Sequence, residues 1–379
     1  MRHSKKIIET KMQLDYMGIL DTIIDTKHEK LVQTFEPLVT VARILDTLKE
    51  RDRKILTKRY GLEGHEVQTL ETIGKELQLT RERVRQIEKS MLKLLRKQAT
   101  SHEHFNKSAE LLKTTISEHG GIMAEIDLLE HLGAQAIEEA NAVRFILHLL
   151  EEVENVRGED NIKESWATLS FNQDMLRGFI AEAKAILEIT SKPHRQEKFL
   201  NAFKERELYK THENTLTDKV ILNFLNTAKE IKKNPFGEYG LGHWNEVSPR
   251  DVGDKAYLVM KHHGKPEHYT AITELINKHH AGTRKAFKET VHNELIKDKR
   301  FILVGRGIYA LAEWGYTSGV VADVIVEVLK QHDRPLTRDE IVAEVFKRRL
   351  VKKNTILVGL SNKKLFTKVG KNLYSLATA

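Results

Sequence analysis

The sequence predicts a mainly α-helical, multi-domain chain: a helix-turn-helix near the N-terminus, then a string of small helical units that each end in a short β-wing. Two observations carry this reading. A capped pair of short amphipathic helices follows two glycines at 61 and 64. In the second half, a block of aromatic, apolar and glycine residues recurs at a fixed offset.

The 379 residues leave room for roughly two to four domains. Lys and Arg number 62 against 54 Asp and Glu, a net charge of +8, which suits a phosphate-bearing partner without requiring one. With 40% hydrophobic and 31% charged residues the chain is of globular composition. There is no cysteine, so disulfides and thiolate metal sites are excluded, in keeping with a reducing interior. The first residues, Met1-Arg-His-Ser-Lys-Lys-Ile-Ile-Glu9, lack the apolar core of a signal peptide. The longest apolar stretches, such as 145–150, fall far short of the roughly 20 residues that span a bilayer. The expectation is a soluble, cytoplasmic protein without a membrane segment.

Residues 1–40 read as a helical segment, with Ile7, Ile8, Met12, Tyr16, Ile19, Leu20, Ile23 and Ile24 at helical spacing. A second element, 39–60, places Val41, Ile44, Leu45, Leu48, Ile55 and Leu56 on one side before Gly61 and Gly64 break it. The sharpest local signal follows. Thr69 caps a short helix whose apolar side is Leu70, Ile73 and Leu77; Gln78 and Leu79 make a turn; Thr80 caps the next helix. In that helix Val84, Ile87, Met91, Leu94 and Leu95 form the buried stripe, and Arg81, Glu82, Arg85, Gln86 and Lys89 share the outward face. Such a face matches major-groove edges: Arg pairs with guanine, Gln with adenine, and Glu accepts from cytosine. Seven basic residues against two acidic ones between Arg81 and Lys97 supply phosphate contacts.

The segments Leu48-Lys-Glu-Arg-Asp-Arg-Lys-Ile-Leu-Thr-Lys-Arg-Tyr-Gly-Leu62, Thr69-Leu-Glu-Thr-Ile-Gly74 and Thr80-Arg-Glu-Arg-Val-Arg-Gln-Ile-Glu88 resemble region 4 of primary bacterial sigma factors, over about 55 residues. In that family the recognition helix reads the −35 promoter element through an Arg-Glu pair and a Gln four residues after the Glu. The resemblance puts these at Arg81, Glu82 and Gln86, with Arg85 on phosphate or base. Thr80, Arg83 and Lys89 complete the candidate DNA-binding set. It also implies docking on the flap of the RNA polymerase β subunit. A complete sigma factor carries an aromatic-rich region that captures the unstacked −10 bases; only Tyr16 and Phe35 precede Tyr60 here. The expectation is a chain that reads duplex DNA without opening it.

In the second half, Phe301-Ile-Leu-Val-Gly305-Arg-Gly-Ile-Tyr309-Ala-Leu311 matches Phe366-Thr-Lys-Val-Gly370-Lys-Asn-Leu-Tyr374-Ser-Leu376 at an offset of 65, and Val291 and Leu295 carry to Ile356 and Leu360. An earlier copy ends at Tyr239, Leu241 and Trp244, offset by 70 from Tyr309, Leu311 and Trp314, and Trp166 marks the end of a still earlier one. Each unit reads as three helices and then two short strands around a turn, the pattern of a winged helix. The expected boundaries are 41–100 for the helix-turn-helix, 101–172 for a degenerate winged helix, then 173–250, 251–316 and 317–379. The copies containing Pro266-Glu-His-Tyr-Thr-Ala-Ile-Thr-Glu-Leu-Ile276 and Pro335-Leu-Thr-Arg-Asp-Glu-Ile-Val-Ala-Glu-Val345 resemble the HARE-HTH domain, some of whose members touch DNA and others protein. Tyr239, Tyr309 and Tyr374 read as strand core. Lys297, Lys299 and Arg300 in the third copy, and Lys347, Arg348, Arg349, Lys352 and Lys353 in the fourth, form basic surfaces; the latter five are candidate secondary DNA contacts.

Catalytic readings find little. Gly305-Arg-Gly307-Ile-Tyr-Ala310 has the letters of a dinucleotide site, but a strand follows where that site needs a helix N-terminus. The histidine pairs 262–263 and 279–280 have no second ligand set at a metal spacing. No enzyme, cofactor or metal is expected. The function expected is sequence-specific binding of double-stranded DNA in transcription, as a promoter-directed regulator or an RNA polymerase accessory factor. The alternative is a protein-interaction adaptor that docks on the polymerase and touches DNA secondarily.

Overall fold

A computed structural model of the chain describes residues 31–157, 161–280, 284–316 and 319–377. The apolar stripe expected at 7–24 lies outside the described residues. The described chain is mainly helical, with small antiparallel sheets. It divides into two compact units, one running to residue 190 and including 197–231, the other comprising 191–196 and 232 onward.

The first unit begins with α1 (Pro37–Leu45), α2 (Glu50–Tyr60), α3 (Leu70–Leu77) and α4 (Arg81–Ala99). The single element expected over 39–60 is two helices. Lys49 is extended (ψ 147) and caps α2, whose first turn carries Glu50 and Asp52 where the helix dipole favours acids. Arg53 then bridges the break, donating to Asp46 at 2.6 Å and pairing with Glu63. Val41, Ile44 and Leu45 of α1 share a cluster with Leu56 of α2, whereas Ile55 packs with Ile73 and Val84. Gly61 ends α2 in the left-handed region (φ 65).

After α4 one element order recurs: helix, short strand, helices, then two strands. Residues 103–168 run α5 (Glu103–Glu118), β1 (Ile122–Ala124), α6 (Glu125–His131), α7 (Ile137–Leu149), β2 (Val153–Val156) and β3 (Ser165–Thr168). Next come α8 (Gln173–Thr190), β4 (His194–Arg195), α9 (Gln196–Lys204), α10 (Glu207–Thr211), α11 (Asp218–Thr227), β5 (Ile231–Lys233) and β6 (Glu238–Leu241). The second unit, which also holds β4, β6 and most of β5, continues with α12 (Val252–His263), β7 (Glu267–His268), α13 (Tyr269–His279), α14 (Lys288–Lys297), β8 (Phe301–Gly305) and β9 (Ile308–Leu311), followed by α15 (Val321–His332), β10 (Leu336–Thr337), α16 (Arg338–Arg348), α17 (Lys353–Leu360), β11 (Phe366–Gly370) and β12 (Leu373–Leu376). Among the described residues all four sheets are three-stranded with the last strand in the middle: β1-β3-β2, β4-β6-β5, β7-β9-β8 and β10-β12-β11.

Strand register corrects one correspondence. Trp166 pairs with Met123 just as Tyr239 pairs with His194, Tyr309 with Glu267 and Tyr374 with Leu336. Trp166 therefore takes the place of the central-strand tyrosines and is not the counterpart of Trp244 and Trp314. It is almost fully buried, as are Tyr239 and Tyr309. The last two copies each have a core of their own, one around Met260, Ile272, Val291 and Tyr309, the other around Ile325, Ile341, Ile356 and Phe366. They also dock on each other: Leu350 N donates to Val304 O at 3.2 Å, and Gly305 allows that approach, since a Cβ there would lie 2.9 Å from Leu350 O.

Candidate nucleic-acid interface

The helix-turn-helix is built by two threonine caps and one glycine. Thr69 Oγ1 accepts from Thr72 N at 3.2 Å and starts α3. Gln78 closes α3 in the left-handed region (φ 56), and Leu79 N donates to Gly74 O at 2.8 Å. A Cβ on Gly74 would meet the Leu79 carbonyl oxygen at 2.7 Å, a backbone atom with nowhere to go, so this turn demands glycine. Thr80 is extended (ψ 151), and its Oγ1 accepts from Arg83 N at 3.2 Å. That hydroxyl is thus committed to capping α4. Ile55, Ile73 and Val84 are fully buried together, flanked by Leu70, Leu77, Leu79 and Ile87.

Along α4 the stripe runs Val84, Ile87, Met91, Leu95, Ala99. Leu94, expected within it, is 39% exposed, because the 3.6-residue repeat carries position 94 off the stripe that 84, 91 and 95 define. Arg81, Glu82, Arg83, Arg85, Gln86 and Lys89 are all exposed, as is Thr80 at the cap. Their charges are partly satisfied within the helix. Arg85 donates to both oxygens of Glu82, from Nε at 2.8 Å and Nη2 at 2.7 Å, and holds that carboxyl below the usual range. Arg83 Nη1 donates to Gln86 Oε1 at 3.3 Å. Arg81 and Lys89 form no ion pair among the described residues. Exposed cations thus flank Glu82 and Gln86, whose side chains are held by neighbouring guanidiniums.

Several residues that the outward-face argument passed over aim this helix. Glu88 is 14% exposed at its side chain and accepts from Arg59 Nε at 3.3 Å and Tyr60 Oη at 3.1 Å. Burial, with Glu88 beside it, pushes the Tyr60 hydroxyl well above its ordinary range, so it stays a donor. Arg96 donates to His148 O from Nη2 at 2.8 Å, tying the far half of α4 to α7. Asn141 Nδ2 donates to Gly61 O at 3.0 Å. The apolar sides of α1 (Val41, Ile44, Leu45) and of late α4 (Leu95, Ala99) are sealed in one cluster with Phe105, Leu112, Val143, Phe145 and Ile146 of the repeat that follows. Glu88 and Ala99 lie beside the apolar stripe, whereas Arg96 falls between Arg85 and Lys89 around the helix, so nothing local marks its partner.

The second candidate set behaves differently. Arg349 is 6% exposed; its guanidinium donates to the carbonyls of Gly319 and of Leu303, the latter at 2.9 Å. It is a structural donor between two repeats and is withdrawn from any DNA-facing surface. Arg348 donates to Gln331 at 2.7 Å and lies 3.7 Å from Glu344. Lys347 pairs with Glu344 at 2.6 Å and Lys353 with Asp339 at 3.2 Å; Lys352 is exposed. In the third copy Arg300 is held by Asp254 at 2.9 Å and Asp298 at 2.6 Å. The Gly305–Gly307 turn joins two antiparallel strands. Among the described residues no cluster of three or more His, Asp or Glu could hold a metal ion, and no helix is long and apolar enough to cross a membrane.

Residues 44–97, from the last two residues of α1 to near the end of α4, match the family model for Sigma-70, region 4. Over this stretch the chain is 50% identical across 54 residues to the RNA polymerase sigma factor SigA of Clostridium acetobutylicum, which is 14% of this chain and 14% of that protein. It is 53% identical across 57 residues to the RNA polymerase sigma factor RpoD of Helicobacter pylori, 15% of this chain and 8% of that protein. The chain thus covers only a small part of the length of either sigma factor.

Proposed function

We propose that this chain binds double-stranded DNA sequence-specifically through α4 and acts in transcription, in the cytoplasm, as a promoter-directed regulator or an RNA polymerase accessory factor that does not melt the promoter. One observation carries the reading: the capped, glycine-turned helix pair that matches Sigma-70, region 4 leaves Arg81, Glu82, Arg85, Gln86 and Lys89 exposed on the helix that such a module lays in the major groove. The target is a −35-like element. The four units of common topology are proposed as winged helices, the last two of HARE-HTH type, and a catalytic role is not part of the proposal.

Docking on the β flap is the less supported part. An apolar partner needs an apolar face, and the stripes of α1 and late α4 are already filled in cis. What remains exposed on the module is Leu38 and Val39 on α1, Val67 before α3 and Leu94 on α4. This favours the DNA-reading function over the adaptor. Selection from a random duplex pool with the full chain tests it. Enrichment of one motif, with protection centred on that motif, is expected. A pool that stays random through successive rounds would refute sequence reading. Permanganate reactivity of the protected site with core polymerase and no other sigma factor should remain at background.

A further inference from the structure

The net positive charge of the chain is concentrated at one end. Residues 345–379 hold nine Lys and Arg and no Asp or Glu, so the remaining residues carry 53 basic against 54 acidic groups. Four of the nine are spent: Arg349 is buried on backbone carbonyls, Arg348 is held by Gln331 and Glu344, and Lys347 and Lys353 are paired with Glu344 and Asp339. Lys363, Lys364, Lys368 and Lys371 are exposed and form no ion pair among the described residues. They sit on one hairpin: two on the loop entering β11, one within β11 opposite Tyr374, and one in the turn before Asn372, which adopts φ 62.

The equivalent hairpin of the third copy shows what makes this arrangement particular. There Lys299 and Arg306 answer to Lys364 and Lys371, Asp298 and Leu303 stand in place of Lys363 and Lys368, and strand β8 is engaged by residues 349–350 of the next copy. The fourth hairpin carries four cations to those two, and β11 is exposed at Lys368 and Val369. We infer that the β11–β12 hairpin is a second, sequence-independent contact for duplex DNA, in which Lys363, Lys364, Lys368 and Lys371 neutralise backbone phosphates. Lysines are compact cations with no fork to read a base edge, which suits phosphate and not sequence. The choice of polyanion rests on the DNA-binding reading of α4. Two weak contacts in one chain then reinforce each other through effective concentration.

The test is fluorescence anisotropy of the full chain on a random-sequence duplex between 50 and 200 mM salt. The variant combines Lys363→Gln, Lys364→Gln, Lys368→Gln and Lys371→Gln. At about 0.9 per phosphate, its log–log salt slope should be shallower by up to about 3.6, so that salt removes about 150-fold less affinity over this range. Lys347→Gln with Lys353→Gln, whose carboxylate partners already neutralise them, should change the slope much less. The hairpin variant should keep the preference of the full chain for a selected over a scrambled duplex. A wild type with no preference and a hairpin variant with a shallower slope would refute the reading of α4 while upholding this one. An unchanged slope would overturn it, leaving the lysines as guards of an open strand edge. Loss of binding to anionic vesicles with none on duplex would overturn it equally.

Discussion

Two runs of arginine and lysine, 81–89 and 347–353, look alike as strings of letters, but only the second turns one of its cations inward. At 81–89 the cap at Thr80 and the stripe Val84, Ile87, Met91 fix which side of the helix is outward, and every cation of the run stays exposed. At 347–353 the run straddles the end of α16. Arg349 leaves the helix in an extended conformation (φ −150, ψ 145) and turns inward to two carbonyls, while Lys347, Arg348 and Lys353 find partners on their own repeat. A charge run thus defines a surface only when caps and an apolar stripe fix its orientation. A long side chain at a helix end is free to bury itself as a hydrogen-bond donor.

The largest effect separating the two regions is expected at Gly74. Gly74→Val drives a Cβ against the Leu79 carbonyl, so the turn between α3 and α4 cannot close. We expect about 2–3 kcal/mol of lost stability, read as a fall in the denaturant midpoint, together with loss of sequence-specific binding. Gly64→Ala is the control: φ is +77, but a Cβ there meets nothing, so only about 1–2 kcal/mol of backbone strain is expected and binding should survive. Equal effects of the two would remove the turn from the account.

Next in size is Arg349→Leu. It leaves the Gly319 and Leu303 carbonyls unpaired and should cost about 1–3 kcal/mol in thermal unfolding of the full chain. DNA affinity measured well below the unfolding temperature should not change. Lost affinity with unchanged stability would place the Arg349 guanidinium on the DNA-facing surface.

The smallest effect concerns pH. Because Arg85 holds the Glu82 carboxyl below its ordinary range, Glu82 stays ionised from neutral pH down past the usual glutamate pKa of about 4.3. A lowered pKa in the folded state means that its contribution is present above the unfolded value and fades only as pH falls through the folded one. Sequence preference should therefore be flat between pH 8 and pH 5. A decline in the wild type centred near the ordinary glutamate pKa of about 4.3, absent in Glu82→Gln, would show that the Glu82–Arg85 pair does not persist in solution.

Much of the fold was legible because it rests on local chemistry. Thr69 and Thr80 announce their helices, Gly61 its end, and the 65-residue offset announces two like units whose tyrosines and leucines occupy equivalent strand positions. The first strand of each sheet was not legible. His194–Arg195, Glu267–His268 and Leu336–Thr337 are two residues long, too short for any alternation, and exist only because the last strand pairs with them. The equivalence of Trp166 with the tyrosines needed the register, since the spacing to the next copy is stretched by α10. At the interface, the outward face could be read from periodicity. Glu88 and Arg96 could not, because their partners, Tyr60 and the His148 carbonyl, lie 28 and 52 residues away.

The most direct test of the central claim, that the start of α4 reads base sequence, is equilibrium binding of Arg81→Ala and Gln86→Ala to a selected duplex and to its scrambled counterpart at one fixed salt concentration. Each substitution should cost about 1–3 kcal/mol on the selected duplex and little on the scrambled one. Equal losses on both duplexes would contradict the claim and leave α4 as a phosphate-binding helix only.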